Sequence, residues 1–182
     1  MNNKNKSKLY FMLQCSLFAA LLCILSPLTI PVGTVPVSLG IFAVVLTSSV
    51  LGFRKGLTAV AVYILLGAVG LPVFAGWQGG AGVLVGPTGG YIWSYLIACV
   101  IIGRCIDASA PNFALVWGAV LSLMACYLCG ALQYMVVSGA SWTTALVVCV
   151  YPFVLFDIAK VWMAMLMGRR IRTALINSGF MG

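Results

Sequence analysis

The sequence predicts an all-α integral membrane protein: six transmembrane helices in three hairpins, one domain over 1–182, with both termini cytoplasmic. Three observations carry this reading. Of 182 residues, 63% are hydrophobic and 7% charged, a composition outside the soluble globular range. Ten of the twelve charged residues fall in four clusters: Lys4, Lys6 and Lys8; Arg54 and Lys55; Arg104 and Asp107; Arg169, Arg170 and Arg172. The blocks between clusters, 9–53, 56–103 and 108–156, carry no charge, and each is long enough to cross a bilayer and return. Every cluster then lies on one side, and the clusters are mostly basic, as cytoplasmic loops are.

Proline and glycine divide the blocks. Helix 1 is expected at 9–26, behind a short basic tail, 1–8. An interruption follows at 27–36, and helix 2 has its core at 37–52. Helix 3 occupies 57–71, a long glycine-rich loop 72–87, and helix 4 88–102. Helix 5 covers 112–137. Helix 6 starts near Pro152, since proline suits the first turn of a helix, and runs to about Met167. That leaves 138–151 as a loop with a short apolar stretch, 142–150, whose alternative reading is the first turns of helix 6. The break at Pro152 is preferred because an interior proline disrupts helical hydrogen bonding.

Several classes are excluded or disfavoured. Six helices of about 20 residues leave only loops and tails, so there is no space for a soluble catalytic or nucleotide-binding domain. The net charge of +8 sits at membrane edges, with no soluble scaffold or interleaved aromatics, and marks topology rather than nucleic-acid binding. The basic start and apolar run resemble a signal peptide, but the run is too long and no small-x-small site follows, so a retained helix is expected. Neither Cys15 nor Cys23 follows the small residue that a lipoprotein site needs. Cys126 and Cys129 form a C-x-x-C, but with no histidine and no second such pair a metal site is poorly supported. Cysteine in apolar helices acts as a small hydrophobe. No cofactor is expected.

Two features point to a site. The segment 71–91 holds many glycines but no lysine after them, so it is not a phosphate loop. Its glycines allow close approach of backbone to a ligand or a helix. Trp77 and Tyr91 offer ring surfaces and Gln78 an amide. A structural turn with an interfacial aromatic belt is the alternative. Asp157 and Lys160 are the second feature: they stand alone in an apolar run, where charge is costly. Three residues apart, they share a helical face with the acid N-terminal. They offer a cation to an anionic group and a two-oxygen acceptor to paired N–H donors. A purely structural ion pair is the competing reading.

These residues carry a resemblance. Pro31-x4-Pro36-Val37-Ser38-Leu39, Gly70-Leu71-Pro72-Val73-Phe74, Gly79-Gly80-Ala81-Gly82, Gly86-Pro87-Thr88-Gly89-Gly90-Tyr91 and Pro152-x4-Asp157-Ile158-x-Lys160 occur in order over nearly the whole chain. The set is similar to the BioY family, the biotin-specific S component of energy-coupling factor (ECF) transporters. The resemblance implies the ECF S-component fold and high-affinity biotin uptake as a multi-pass plasma-membrane protein, without enzymatic activity. It implies partners: an EcfT-type transmembrane coupling subunit and two ATPase subunits. It also implies a ligand site at the outer face, with Asp157 accepting ureido N–H groups, Lys160 attracting the valerate carboxylate, and Gln78, Trp77, Tyr91, Gly89 and Gly90 around them. Gln78 and Ile92 stand where family members carry asparagine and arginine, and Gly40 where many carry glutamine. The family docks its partner through a small-xxx-small surface on helix 1. Ser16 with Ala20, and Ala19 with Cys23, fit that spacing, and internal packing of helix 1 is the alternative. The other functions weighed are an S component for another vitamin or heterocycle, a small membrane enzyme, and a channel.

Overall fold

The structure, a computed structural model, describes residues 3–30 and 37–178. Pro31 and Pro36 of the family pattern, and the side chains of Lys4 and Lys6, lie outside the described residues. Helix α1 (Asn3–Leu25) leads into a two-residue antiparallel ribbon, β1 (Thr29–Ile30) against β2 (Val37–Ser38), with Thr29 opposite Ser38. Then come α2 (Gly40–Ala68), a 3₁₀ turn (Ala75–Trp77), the short α3 (Ala81–Val85), α4 (Gly89–Asp107), α5 (Asn112–Ser138), α6 (Trp142–Cys149) and α7 (Val154–Asn177). Helix α2 is central: α1, α4 and α7 all pack on it, and α5 packs on α4.

Helix α2 is two arms, 40–51 and 53–68, that fold back on each other at Gly52. A straight helix would place Gly40 and Tyr63 roughly 35 Å apart. Instead both ends meet Ser26: Tyr63 hydrogen-bonds it at 2.6 Å, and a Cβ on Gly40 would lie 3.0 Å from its hydroxyl. Near the turn, a Cβ on Gly56 would lie 3.4 Å from the Cα of Ser48. Gly52 has φ 77° and ψ −168°, a conformation that a side chain would strain.

Charges from two other helices hold this turn. The Phe53 N–H donates to Asp107 Oδ2 at 2.9 Å, placing a carboxylate at the N-terminus of the second arm. Arg172 Nη1 donates to the Val50 carbonyl at 2.8 Å, placing a cation at the C-terminus of the first. Arg172 and Asp107 pair at 3.6 Å, and the Arg104 guanidinium lies 4.9 Å over the Phe53 ring. The second basic cluster of the sequence thus marks the turn it flanks.

By length and composition four helices can cross a membrane, within α1, α2, α4 and α5; α6 with α7, bent by 50°, make a fifth candidate. The chain is a multi-pass membrane protein, and large apolar side chains such as Leu17, Val136 and Leu155 face outward, as lipid permits. The first arm of α2 reaches only about 18 Å, short of a hydrocarbon core of about 30 Å. A cavity opens at its Gly40 end.

Some elements differ from expectation. The stretch expected as a loop at 142–150 is largely the helix α6: the Ser141 hydroxyl accepts from Thr144 N–H as its cap, and Ala145 and Cys149 are buried. The break near Pro152 stands between α6 and α7. Helix α7 continues past Met167 to Asn177, because Arg172 finds partners in the α2 turn and arginine favours helix. The glycine-rich loop holds the 3₁₀ turn and α3.

Candidate functional site

The cavity is partly open and is walled by the ends of α1, α2 and β2, the 74–75 and 83–92 segments, and α4, α5 and α7. Its charged group is Asp157, in the first turn of α7 and 8% exposed. The positive end of that helix favours a carboxylate there. Lys160 Nζ donates to Asp157 Oδ1 at 3.0 Å and to the Ser38 carbonyl at 2.7 Å; Tyr127 donates its hydroxyl to Asp157 Oδ2 at 3.1 Å. A carboxylate has about four acceptor positions, so these two bonds leave Asp157 with capacity towards the cavity.

Aromatic rings form much of the remaining wall. Tyr91 donates its hydroxyl to the Cys149 carbonyl at 2.5 Å and lies 6.4 Å from the Phe153 ring, pinning α4 to the α6–α7 break. Tyr63 meets Phe74 edge-on at 5.7 Å, a favoured arrangement of ring quadrupoles. Tyr95 presses its hydroxyl against Gly40, so that a Cβ there would collide with it. The tyrosine occupies the space into which a glutamine at position 40 would project.

The residues singled out by sequence separate into groups. Asp157 and Tyr91 line the cavity, and Ile92 lines it too. Lys160 stands behind Asp157, bonded to Ser38. Gln78 borders a separate open recess with Gly79, Gly82 and Gly86; Val83 and Thr88 are common to the recess and the cavity. Trp77 is 62% exposed, with φ 60°, and is not on the cavity wall. Gly89 and Gly90 are buried against protein: Cβ atoms there would run into the Leu84 carbonyl and the Cys129 carbonyl. Their smallness lets α4 approach the α3–α4 turn and α5. On α1, Ser16 and Ala20 face outward, Ala19 is buried in the core, and Cys23 is half-buried.

Sequence reasoning missed Ser26, Tyr63, Tyr95 and Tyr127, which line the same cavity. It also missed Gln133, whose amide donates to the Leu84 and Gly86 carbonyls at 2.8 and 2.7 Å and so fixes the wall that those glycines pack against. A signal was present. Tyrosines in membrane proteins concentrate at interfaces, whereas Tyr95 and Tyr127 sit within their helices, away from the ends.

The fold and site define a multi-pass helical membrane protein with a buried acid at the wall of a partly open cavity. The sequence model of the BioY family matches residues 1–177, and the chain belongs to that family. It is 37% identical over 163 residues to "Biotin transporter BioY" of Thermotoga maritima, covering 88% of this chain and 95% of the relative. It is 35% identical over 177 residues to "Biotin transporter BioY2" of Lactococcus lactis, covering 94% and 95%. Among solved structures, the S component for biotin from an ECF-type ABC transporter superposes with a TM-score of 0.83 at 26% identity, covering 95% of both chains.

Proposed function

We propose that this chain is the substrate-binding component of an ECF-type ABC transporter that takes up biotin across the plasma membrane. Family membership and the names of the relatives support biotin as substrate. The observation that carries the reading at this site is Asp157: a buried carboxylate, held on both oxygens and with acceptor capacity left towards a largely aromatic-walled cavity. The two N–H groups of a ureido ring match a carboxylate, and charge-assisted bonds are the strong ones. The aromatic wall suits the apolar fused rings.

Lys160 takes a holding role. The ureido ring and the carboxylate of biotin lie at opposite ends of a valerate chain, whereas Lys160 and Asp157 are 3.0 Å apart and Lys160 also bonds Ser38. One lysine in that position balances and orients the acid. Biotin leaves as it entered, so the protein is a transport component and not an enzyme. Six membrane segments follow if the arms of α2 count separately, the first too short to cross by itself, and α6 with α7 count once. The basic turns face the cytoplasm and the cavity faces outward. An EcfT-type subunit and two ATPase subunits supply the energy, and the outward Ser16–Ala20 face of α1 suits close docking of a helix.

The test is a ligand panel on purified, detergent-solubilised protein, followed by calorimetry. Biotin is expected to bind tightly, desthiobiotin more weakly, and thiamine and riboflavin not at all. Folded protein that binds thiamine or riboflavin in preference to biotin would assign it to another vitamin.

A further inference from the structure

Asp157 provides only acceptors to the cavity, and a ligand that carries both donors and acceptors needs a donor elsewhere. One is in place. Ser26, at the end of α1, and Tyr63, in the second arm of α2, both line the cavity. Their oxygens lie 2.6 Å apart, and the residues are 1% and 0% exposed. Two hydroxyls carry two protons, and the bond between them consumes one. Among the described residues neither hydroxyl makes another hydrogen bond.

Two other buried serines behave differently, whereas Ser49, whose buried hydroxyl has no partner among the described residues, does not line the cavity. Ser48 and Ser122 each donate to the carbonyl four residues back, at 2.7 and 2.8 Å. Ser26 does not: its hydroxyl meets the Tyr63 hydroxyl rather than the Leu22 carbonyl, which accepts its backbone N–H at 3.0 Å. A hydroxyl proton without an acceptor is costly in an apolar interior, so this pair holds a donor that the protein leaves unused. Tyr95 narrows the place further, because its hydroxyl and that of Ser26 both abut Gly40.

We propose that the Ser26–Tyr63 hydroxyl pair is a second anchor of the binding site, donating its spare proton to an acceptor oxygen of the bound ligand. The anchor complements Asp157: one group lining the cavity accepts, the other donates. It also gives the cavity a donor that does not depend on a cation, in a chain with Ile92 on the wall and Lys160 held by Ser38. The proposal rests on the biotin reading above. In biotin the acceptor is either the ureido oxygen or the tail carboxylate.

The experiment compares wild type with the double variant Ser26→Ala/Tyr63→Phe, after thermal unfolding in detergent has established that both are folded. The probes are biotin, an analogue with sulfur in place of the ureido oxygen, and an analogue with methyl in place of the tail carboxylate. The double variant is expected to lose roughly five- to tenfold in biotin affinity. It also stops discriminating against one analogue, and that analogue identifies the oxygen. A folded double variant that binds biotin within twofold of wild type overturns the anchor, and so does one that weakens all three probes by the same factor. If the double variant does not fold, the single variants decide: loss in one supports the anchor, and both unchanged overturn it. Wild-type protein that binds no biotin would instead overturn the function on which the proposal rests.

Discussion

The turn and the open end of the α2 hairpin bury or half-bury polar groups in opposite ways. At the Gly52 turn the groups satisfy one another: Asp107 serves the Phe53 N–H and Arg172, and Arg172 serves Asp107 and the Val50 carbonyl. At the Gly40 end capacity remains. Asp157 has acceptor positions beyond Lys160 and Tyr127, and the Ser26–Tyr63 pair has a proton beyond its own bond. The first pattern is what a folded turn needs, because unpaired polar groups at a helix end are costly. The second is tolerable only where something else completes it. Unspent hydrogen-bonding capacity that opens on the cavity, rather than charge alone, marks the binding end; Thr47 and Ser49, whose buried hydroxyls also lack a partner among the described residues, do not line that cavity.

The sharpest break of this comparison is Asp157→Asn, which removes the negative charge and turns one acceptor into a donor facing the ureido N–H groups. Biotin affinity is expected to fall roughly a hundredfold or more, because bonds to a charged group contribute about 1.5–3 kcal/mol each. Titration calorimetry measures it. At the opposite end Gly52→Ala introduces a side chain at φ 77° that collides with the Asp107 carboxylate. The expected cost is roughly 2 kcal/mol of stability, read as a lower melting temperature, with the biotin Kd of the folded protein unchanged.

Asp107→Ala deprives both the Phe53 N–H and Arg172 of a partner. Its side chain is 45% exposed, so the loss is expected to be about 1–2 kcal/mol, again without change in Kd. The smallest effect is expected for Tyr127→Phe, which removes one bond to Asp157. Biotin affinity should fall about fivefold, in line with about 1 kcal/mol for one hydrogen bond. An equal effect of Tyr127→Phe and Asp157→Asn on affinity would blur the distinction between holding and binding.

The charge clusters made the fold legible to a considerable depth. Arg54 and Lys55 flank the turn of α2, and the pairing of the Pro152 break with Asp157 placed the acid at a helix start. What escaped was structure that depends on distant partners. Asp107 read as one acid in a basic cluster, and only its approach to Phe53, 54 residues away, gives it a role. Lys160 read as a cation for an anionic group or as an ion-pair partner of Asp157, yet it also meets the Ser38 carbonyl 122 residues away. Ser26, Tyr63, Tyr95 and Tyr127 come from four different segments, and no spacing along the chain relates them. Gly89 and Gly90 were legible as close-approach positions, but the approaching backbone belongs to α5 and the α3–α4 turn.

The most direct measurement pairs biotin titration with thermal unfolding for wild type, Asp157→Asn and Asp107→Ala in one detergent. Division of labour between the two ends gives crossed results. Asp157→Asn, although destabilised because Lys160 loses its counter-charge, loses biotin binding even as folded protein, and Asp107→Ala melts lower while binding biotin with the wild-type Kd. Folded Asp157→Asn protein that binds biotin like wild type, or folded Asp107→Ala protein that does not bind it, would contradict the account.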